Sequence, residues 1–343
     1  MTKQVKIGNL YIGGGNKIAI QSMTNVPLGN FEKTKQQMIA LQQAGCDIVR
    51  FAVTDKESCK NIGYLKQFVT MPLVADIHFD ASLAISAMEN GVDKIRINPG
   101  NFPKDQLKKV IDSAKQHDVA IRIGVNGGSI EKSLNNLTHE EALFLSLKNQ
   151  VEEIEKLGFY NLVLSAKSSS VLKTVKLARL LAKNFDYPLH IGVTEAGPLE
   201  QGAIFNAVGI GSLLVDGIGD TIRVSLTADP VKEVEVAKTI LSATEKGVGA
   251  TFVSCPKCGR CAQDLEFYAN SVYNFVKTLK KPIKVAVMGC EVNGPGECAS
   301  ADLGMACGKG KVAFFKKGQV YKIVDETDAL QLFIQEIKDF DAD

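Results

Sequence analysis

The chain repeats one unit. Short apolar, β-branched runs recur at residues 18–23 (IAIQSM), 47–53, 72–77, 94–99, 119–125, 161–166, 188–193 and 221–226 (TIRVSL). Between most of them lies a stretch with helical period, such as FEKTKQQMIALQQAG, ASLAISAMENG, DQLKKVIDSAKQH or SSVLKTVKLARLLAKNF. Strand and helix thus alternate eight times over about 240 residues, which predicts a (β/α)8 TIM barrel. Each crossover helix must bury its apolar stripe against a parallel sheet, and eight such units close on themselves. An open doubly wound sheet is the nearest rival. It is disfavoured because no GxGxxG opens a helix after the first strand.

The rhythm changes near residues 229–250. A helix from about Pro230 to Glu245 leads out of the barrel, followed by a helix over 263–281 and a strand over 284–289. A Gly- and Cys-rich loop is expected over 290–310, then two short strands (KVAFFK, QVYKIVD) and a terminal helix. At 343 residues the chain exceeds what one core usually holds. We expect a substrate-binding barrel over 1–243 and a smaller α+β domain over 244–343.

Forty basic and 38 acidic side chains leave a formal charge of +2, too little to favour nucleic acid or an anionic membrane surface. No apolar run approaches a membrane span, and the start (MTKQVKIGNL) is too polar for a signal peptide. The expectation is a cytoplasmic protein. Any pull on an anion must come from locally clustered charge.

Such a cluster exists at the barrel's catalytic end. Residues at the carboxyl ends of barrel strands face the active site, and here they include Arg50, Asp76, Arg96, Asn98, Arg122, Asn126, Lys167, Glu195, Arg223 and Ser225. One interior arginine is readily a structural ion-pair partner. Five cations from five strands, against two evident carboxylates, are under-compensated unless an anion binds among them. The guanidinium fork suits phosphate, so a diphosphate fits best. Asp76 and Glu195 are the candidates for acid–base work; cations would lower the Glu195 pKa and burial would raise it. His78 is read as orienting a loop rather than binding metal. Lys167 is read as part of the anion clamp rather than an imine-forming lysine.

Of eight cysteines, six crowd between 255 and 307. SCPKCGRC sets Cys255, Cys258 and Cys261 at successive CxxC spacings, and GCEVNGPGEC supplies Cys290, Glu297 and Cys298. In a reducing compartment this clustering points to a metal or cluster rather than disulfides. The later cysteines come singly, at poor spacing for a zinc ribbon, so a [4Fe–4S] cluster is preferred over zinc. Cys46 and Cys59 are read as ordinary core or surface residues.

CPKCGR followed by GCEVNGPGE resembles the signature of the iron–sulfur 4-hydroxy-3-methylbut-2-enyl diphosphate synthase family of the methylerythritol phosphate isoprenoid pathway. QSMTN, PLVADIHFD, IRINPGN, IRIGVN, TEAG and GIGDTIRVSL resemble it too, in the same order, over about residues 5–325. The resemblance implies the bacterial two-domain form and reductive ring opening and dehydration of 2-C-methyl-D-erythritol 2,4-cyclodiphosphate. Electrons would come from flavodoxin or ferredoxin through the cluster. It implies cluster ligands Cys255, Cys258, Cys290 and, unusually, Glu297, whose carboxylate is a more labile ligand for iron than a thiolate. It implies a clamp of Arg50, Arg96, Arg122, Lys167, Arg223 and Ser225. Glu195 would be the proton donor, with Asp76 and Asn126 holding the substrate or its hydroxyls. It further implies a homodimer in which the cluster domain of one subunit caps the barrel of the other. Cys261, Cys298 and Cys307 are thiols beyond the family pattern, and each is a candidate to compete with Glu297 as cluster ligand.

Two other readings compete on the residues alone. A phosphosugar aldolase or isomerase with a structural zinc tail would be colourless. A zinc-binding adaptor would leave five strand-end cations without a purpose.

Overall fold

In the computed structural model of the chain, eight parallel strands form a barrel: β3 (Ala19–Met23), β4 (Ile48–Ala52), β5 (Leu73–Asp76), β6 (Lys94–Ile97), β7 (Ala120–Val125), β8 (Leu162–Ala166), β9 (His190–Ile191) and β10 (Thr221–Ile222). They follow an N-terminal hairpin, β1 (Val5–Ile7) and β2 (Leu10–Ile12). The described residues are 1–125, 137–247, 249–261, 263–279, 281–290 and 294–342. The strand order is β8-β7-β6-β5-β4-β3-β10-β9, and a parallel bridge between Leu164 and Leu189 joins β8 to β9 and closes the ring. Strands covered on both faces need no polar side, and all six residues of β7 are buried.

The outer layer consists of α1 (Phe31–Ala44), α2 (Lys56–Cys59), α3 (Asn61–Leu65), α4 (Ala81–Glu89), α5 (Lys104–Gln116), α6 (His139–Lys156), α7 (Val171–Asn184), α8 (Leu199–Val215) and α9 (Pro230–Ala243). Several begin on side-chain caps that satisfy orphan N–H groups: Asn30 for α1, Asp80 for α4, Ser170 for α7 and Asp229 for α9. Thr138 and Glu141 make a reciprocal capping box on α6. These caps close the loops that follow the strands, so they also anchor the end of the barrel where ligands bind.

The hairpin was absent from the sequence expectation. VKI and LYI pair antiparallel across a Gly8–Asn9 turn, with Gly8 at φ 58°. Val5, Ile7 and Ile12 pack with Ala19, Ile48, Val74, Ala120 and Val163, residues at the starts of barrel strands. The hairpin therefore plugs the amino-terminal end of the barrel.

The chain divides into two compact units, residues Met1–Lys246 and Gly247–Asp343. The second contains β11 (Thr251–Ser254), α10 (Leu265–Val276), β12 (Lys284–Met288), α11 (Gly294–Cys298), β13 (Leu303–Cys307), β14 (Lys311–Lys316), β15 (Gln319–Asp325) and α12 (Glu326–Ala342). Its sheet runs β11-β12-β13-β14-β15, parallel across β11–β13 and antiparallel thereafter. Helices α10 and α12 cover one face through Leu265, Val272, Phe333 and Ile337 against Val285, Met305 and Phe314. The expected 290–310 loop is corrected here. It holds α11 and β13, because LGMAC is an apolar five-residue run buried throughout and paired on both sides. Among the described residues no helix is long and apolar enough to cross a membrane.

Candidate active site

The carboxyl ends of the barrel strands surround a cavity of about 480 Å³. Arg50, Asp76, Arg96, Arg122, Lys167, Glu195, Arg223 and Ser225 all line it. Asn126 lies outside the described residues. The strand register explains the convergence, since Asp76, Arg96 and Arg122 are successive partners across β5, β6 and β7 and share one row of the barrel.

Asp76 is the hub of one half. Its carboxylate lies 3.2 Å from Arg96 Nη1, 3.9 Å from Arg50 Nε and 3.7 Å from His78 Nε2. Burial pushes the Asp76 carboxyl up, but the His78 hydrogen bond and the guanidiniums of Arg50, Arg96 and Arg122 outweigh it and hold it well below the usual carboxylate range. Arg96 also donates to Gly124 O at 3.3 Å, and a Cβ on Gly124 would sit 2.9 Å from Arg96 Nε. Glycine is what lets the guanidinium lie across β7. His78 is half exposed, contacts Arg96 Nη1 at 3.3 Å and accepts Asn101 Nδ2 at its carbonyl, a role in holding its loop.

The other half has a counter-ion the sequence reading missed. Glu233, on α9, is only 3% exposed and receives Arg223 through Nη2 at 3.1 Å and Nε at 3.3 Å. Ser22 Oγ and the Leu226 N–H also donate to it. A signal existed, for Glu233 falls on the stripe of Val234, Ala237, Ile240 and Leu241, all buried on α9. An acid at a core position of an amphipathic helix calls for a buried cation.

The cations are unequally partnered. Arg50 directs Nε and Nη2 at Met23 Sδ, at 3.1 and 3.0 Å, a weak acceptor. Burial, partly offset by Asp76, pushes Arg50 down to about 10. Arg122 is 3% exposed, and its Nε and Nη1 are buried with no hydrogen-bond partner among the described residues. Burial, then the Arg50 and Arg96 charges, push Arg122 well down. Lys167 Nζ lies 3.0 Å from His190 Nε2, and no carboxylate is in ion-pair range of it among the described residues. Buried donors without acceptors are costly, so this wall is built for an oxygen-rich anion.

Glu195 is exposed at the rim, so the expected burial does not apply to it. Its φ of 55° is left-handed, a conformation that turns the chain sharply after β9 and sets the side chain over the cavity.

In the second unit, Cys255 follows β11 and Cys290 follows β12, two parallel strands in register through Ser254 and Val287. Both therefore leave the sheet at its carboxyl edge. Gly289 N–H donates to Cys255 Sγ at 3.2 Å, and a Cβ on Gly289 would sit 2.9 Å from Cys261 Sγ. Cys258 is exposed on the intervening turn, whose Cys261 N–H bonds Cys258 O at 2.9 Å. Glu297 is exposed on α11. Among the described residues no three His, Cys, Asp or Glu side chains converge on a single ion position. Cys298 and Cys307 are placed otherwise. Cys298 packs with Ala286, Met288 and Phe315, Cys307 packs under α10, and burial pushes their thiols up to about 11 and about 12. Cys46 and Cys59 are buried in the barrel's core, as expected.

Residues 2–238 match the family described as the GcpE TIM-barrel domain, and residues 251–339 match the GcpE protein C-terminal domain. A protein of Caldanaerobacter subterraneus named 4-hydroxy-3-methylbut-2-en-1-yl diphosphate synthase (flavodoxin) is 50% identical, over 98% of this chain and 97% of its own. The protein of that name from Caldicellulosiruptor saccharolyticus is 49% identical, over 98% of each. Among solved structures, Yersinia pestis dihydropteroate synthase superposes with a TM-score of 0.53 at 14% identity, over 72% of this chain and all of its own, which is a likeness of fold alone. With both domain descriptions matched in order and half of all residues shared with such relatives, the chain belongs to the GcpE family.

Proposed function

We propose that the chain is a 4-hydroxy-3-methylbut-2-enyl diphosphate synthase of the methylerythritol phosphate pathway. It opens 2-C-methyl-D-erythritol 2,4-cyclodiphosphate reductively and releases (E)-4-hydroxy-3-methylbut-2-enyl diphosphate and water. One ring carbon–oxygen bond breaks, a hydroxyl leaves as water, and two electrons with two protons balance the change. The observation that carries the reading is the buried Arg122, which lines the cavity with four more cations and whose Nε and Nη1 find no hydrogen-bond partner among the described residues. Near-full-length identity to relatives of that name supports the specific substrate.

Arg50, Arg96, Arg122, Lys167, Arg223 and Ser225 bind the two phosphates. Asp76 and Glu233 hold three of those guanidiniums at fixed angles, so the charge is oriented before substrate arrives. Glu195, over the cavity, gives a proton to the departing hydroxyl. Asp76 and Asn126 hold the substrate's remaining hydroxyls. Cys255, Cys258, Cys290 and Glu297 are the residues that would hold a [4Fe–4S] cluster. The fit rests on Cys255 and Cys290 leaving neighbouring parallel strands at the same sheet edge, with Cys258 on the turn just after Cys255, thiol donors of the kind that bind iron–sulfur clusters. The Gly289 N–H to Cys255 sulfur bond suits a thiolate ligand. When bound, the cluster supplies electrons one at a time. The working protein is read as a cytoplasmic homodimer served by flavodoxin, the donor in its relatives' names, or ferredoxin.

The test is anaerobic purification with analysis of iron and acid-labile sulfide, then assay of the cyclic diphosphate with reduced flavodoxin. About four irons and four sulfides per chain, with turnover, are expected. Arg122→Met should keep the iron and raise the substrate KM more than about tenfold, the loss of one charged hydrogen-bonding group. Stoichiometric zinc and no turnover after reconstitution would sink the proposal.

A further inference from the structure

We infer that His190 is the positioning residue for Lys167, accepting one ammonium N–H so that the remaining two are aimed at the bound anion. This rests on the clamp reading above, and it assigns work to a residue that does not itself line the cavity.

The geometry runs through three neighbouring strands. Lys167 directly follows β8, while His190 on β9 and Thr221 on β10 are register partners. Lys167 Nζ lies 3.0 Å from His190 Nε2, and His190 Nδ1 lies 2.8 Å from Thr221 Oγ1. An ammonium can only donate, so Nε2 must accept, which leaves the proton on Nδ1 and makes Thr221 Oγ1 its acceptor. Lys167 then points where a side chain on the next strand would obstruct it, and that position is Gly192. A Cβ there would sit 3.1 Å from Lys167 Nζ and would collide with Arg223 O.

Neutral imidazole is the form this setting enforces. His190 is 1% exposed. Burial, then Lys167, Arg122, Lys94 and Arg50, all push its pKa well down. Lys167 itself is pushed down by burial and by Arg122, Arg223 and Arg50, with Glu233 the carboxylate opposing them. An acceptor such as His190 Nε2 favours the protonated lysine against that push. Asp or Glu at position 190 would cancel the charge meant for the anion, whereas neutral imidazole orients the ammonium and leaves its charge intact.

Two measurements test this. In the ligand-free holoprotein at pH 7, the imidazole 15N signals of His190, assigned by their loss in His190→Gln, should show a neutral ring protonated on Nδ1. An imidazolium, or the Nε2–H tautomer, would overturn the inference. Calorimetry with inorganic pyrophosphate should then find His190→Leu at least about tenfold weaker than the unsubstituted protein. His190→Gln, whose amide oxygen restores an acceptor, should fall within about threefold. Equal binding by all three proteins, or equal loss in both variants, would mean that His190 only fills space. Failure of the unsubstituted protein to bind pyrophosphate would overturn the clamp instead, and the tautomer would still decide the Lys167–His190 pair.

Discussion

Asp76 concentrates the site's electrostatics in one side chain. It is 6% exposed and stands between Arg50 and Arg96, so Asp76→Asn would leave two desolvated guanidiniums without a counter-charge. Breaking such a buried pair costs about 3–5 kcal/mol. The pH dependence follows from the sign of the shift. A carboxyl whose folded pKa is depressed contributes its full stability above its unfolded value, near about 3.9, and loses it as pH falls through the lower folded value. Urea unfolding of the two proteins should therefore show a constant gap from about pH 5 to pH 8 that narrows only in stronger acid. A gap that closes already near neutrality would contradict the assignment. At this scale Arg50, Asp76, Arg96, Arg122, Lys167, Arg223 and Ser225 were legible, because a barrel strand's carboxyl end is recognisable from its run of apolar residues. Glu233 and His190 were not. Glu233 reaches the site from a helix, and His190 acts one layer beneath it.

Elements account for the other differences between expectation and structure. The VKI-GN-LYI hairpin has the alternation and the two-residue turn of a β-hairpin, yet each strand has only three residues and is easily passed over. Strand β13 was hidden because Gly304 and Cys307 read as loop residues. Its glycine answers to packing. A Cβ on Gly304 would sit 2.5 Å from Cys298 Sγ and 2.9 Å from Cys298 Cβ, so α11 can lie on β13 only where no side chain intervenes. Gly304→Ala should destabilise the C-terminal unit by about 1–3 kcal/mol through overpacking. Adding Cys298→Ala, which removes the opposing sulfur, should recover part of that loss. Calorimetric Tm values for the single and double variants check it, and strictly additive losses would place the strain elsewhere.

For the whole molecule, the rhythm of eight strand–helix units was enough to expect the barrel, and the break in that rhythm near residues 229–250 was enough to expect a second unit. What the rhythm does not record is how the barrel is sealed. With Val5, Ile7 and Ile12 packed against the starts of five strands, the described residues leave no passage on the amino-terminal side. Traffic through the barrel is therefore two-way at a single door. A departing diphosphate must vacate the same threshold that the next substrate crosses, so product and substrate exclude one another rather than queue. Steady-state kinetics should show the linear diphosphate inhibiting competitively against the cyclic one when both meet the same redox form of the enzyme, and inhibition that saturating cyclic diphosphate leaves unrelieved there would place product at a separate site.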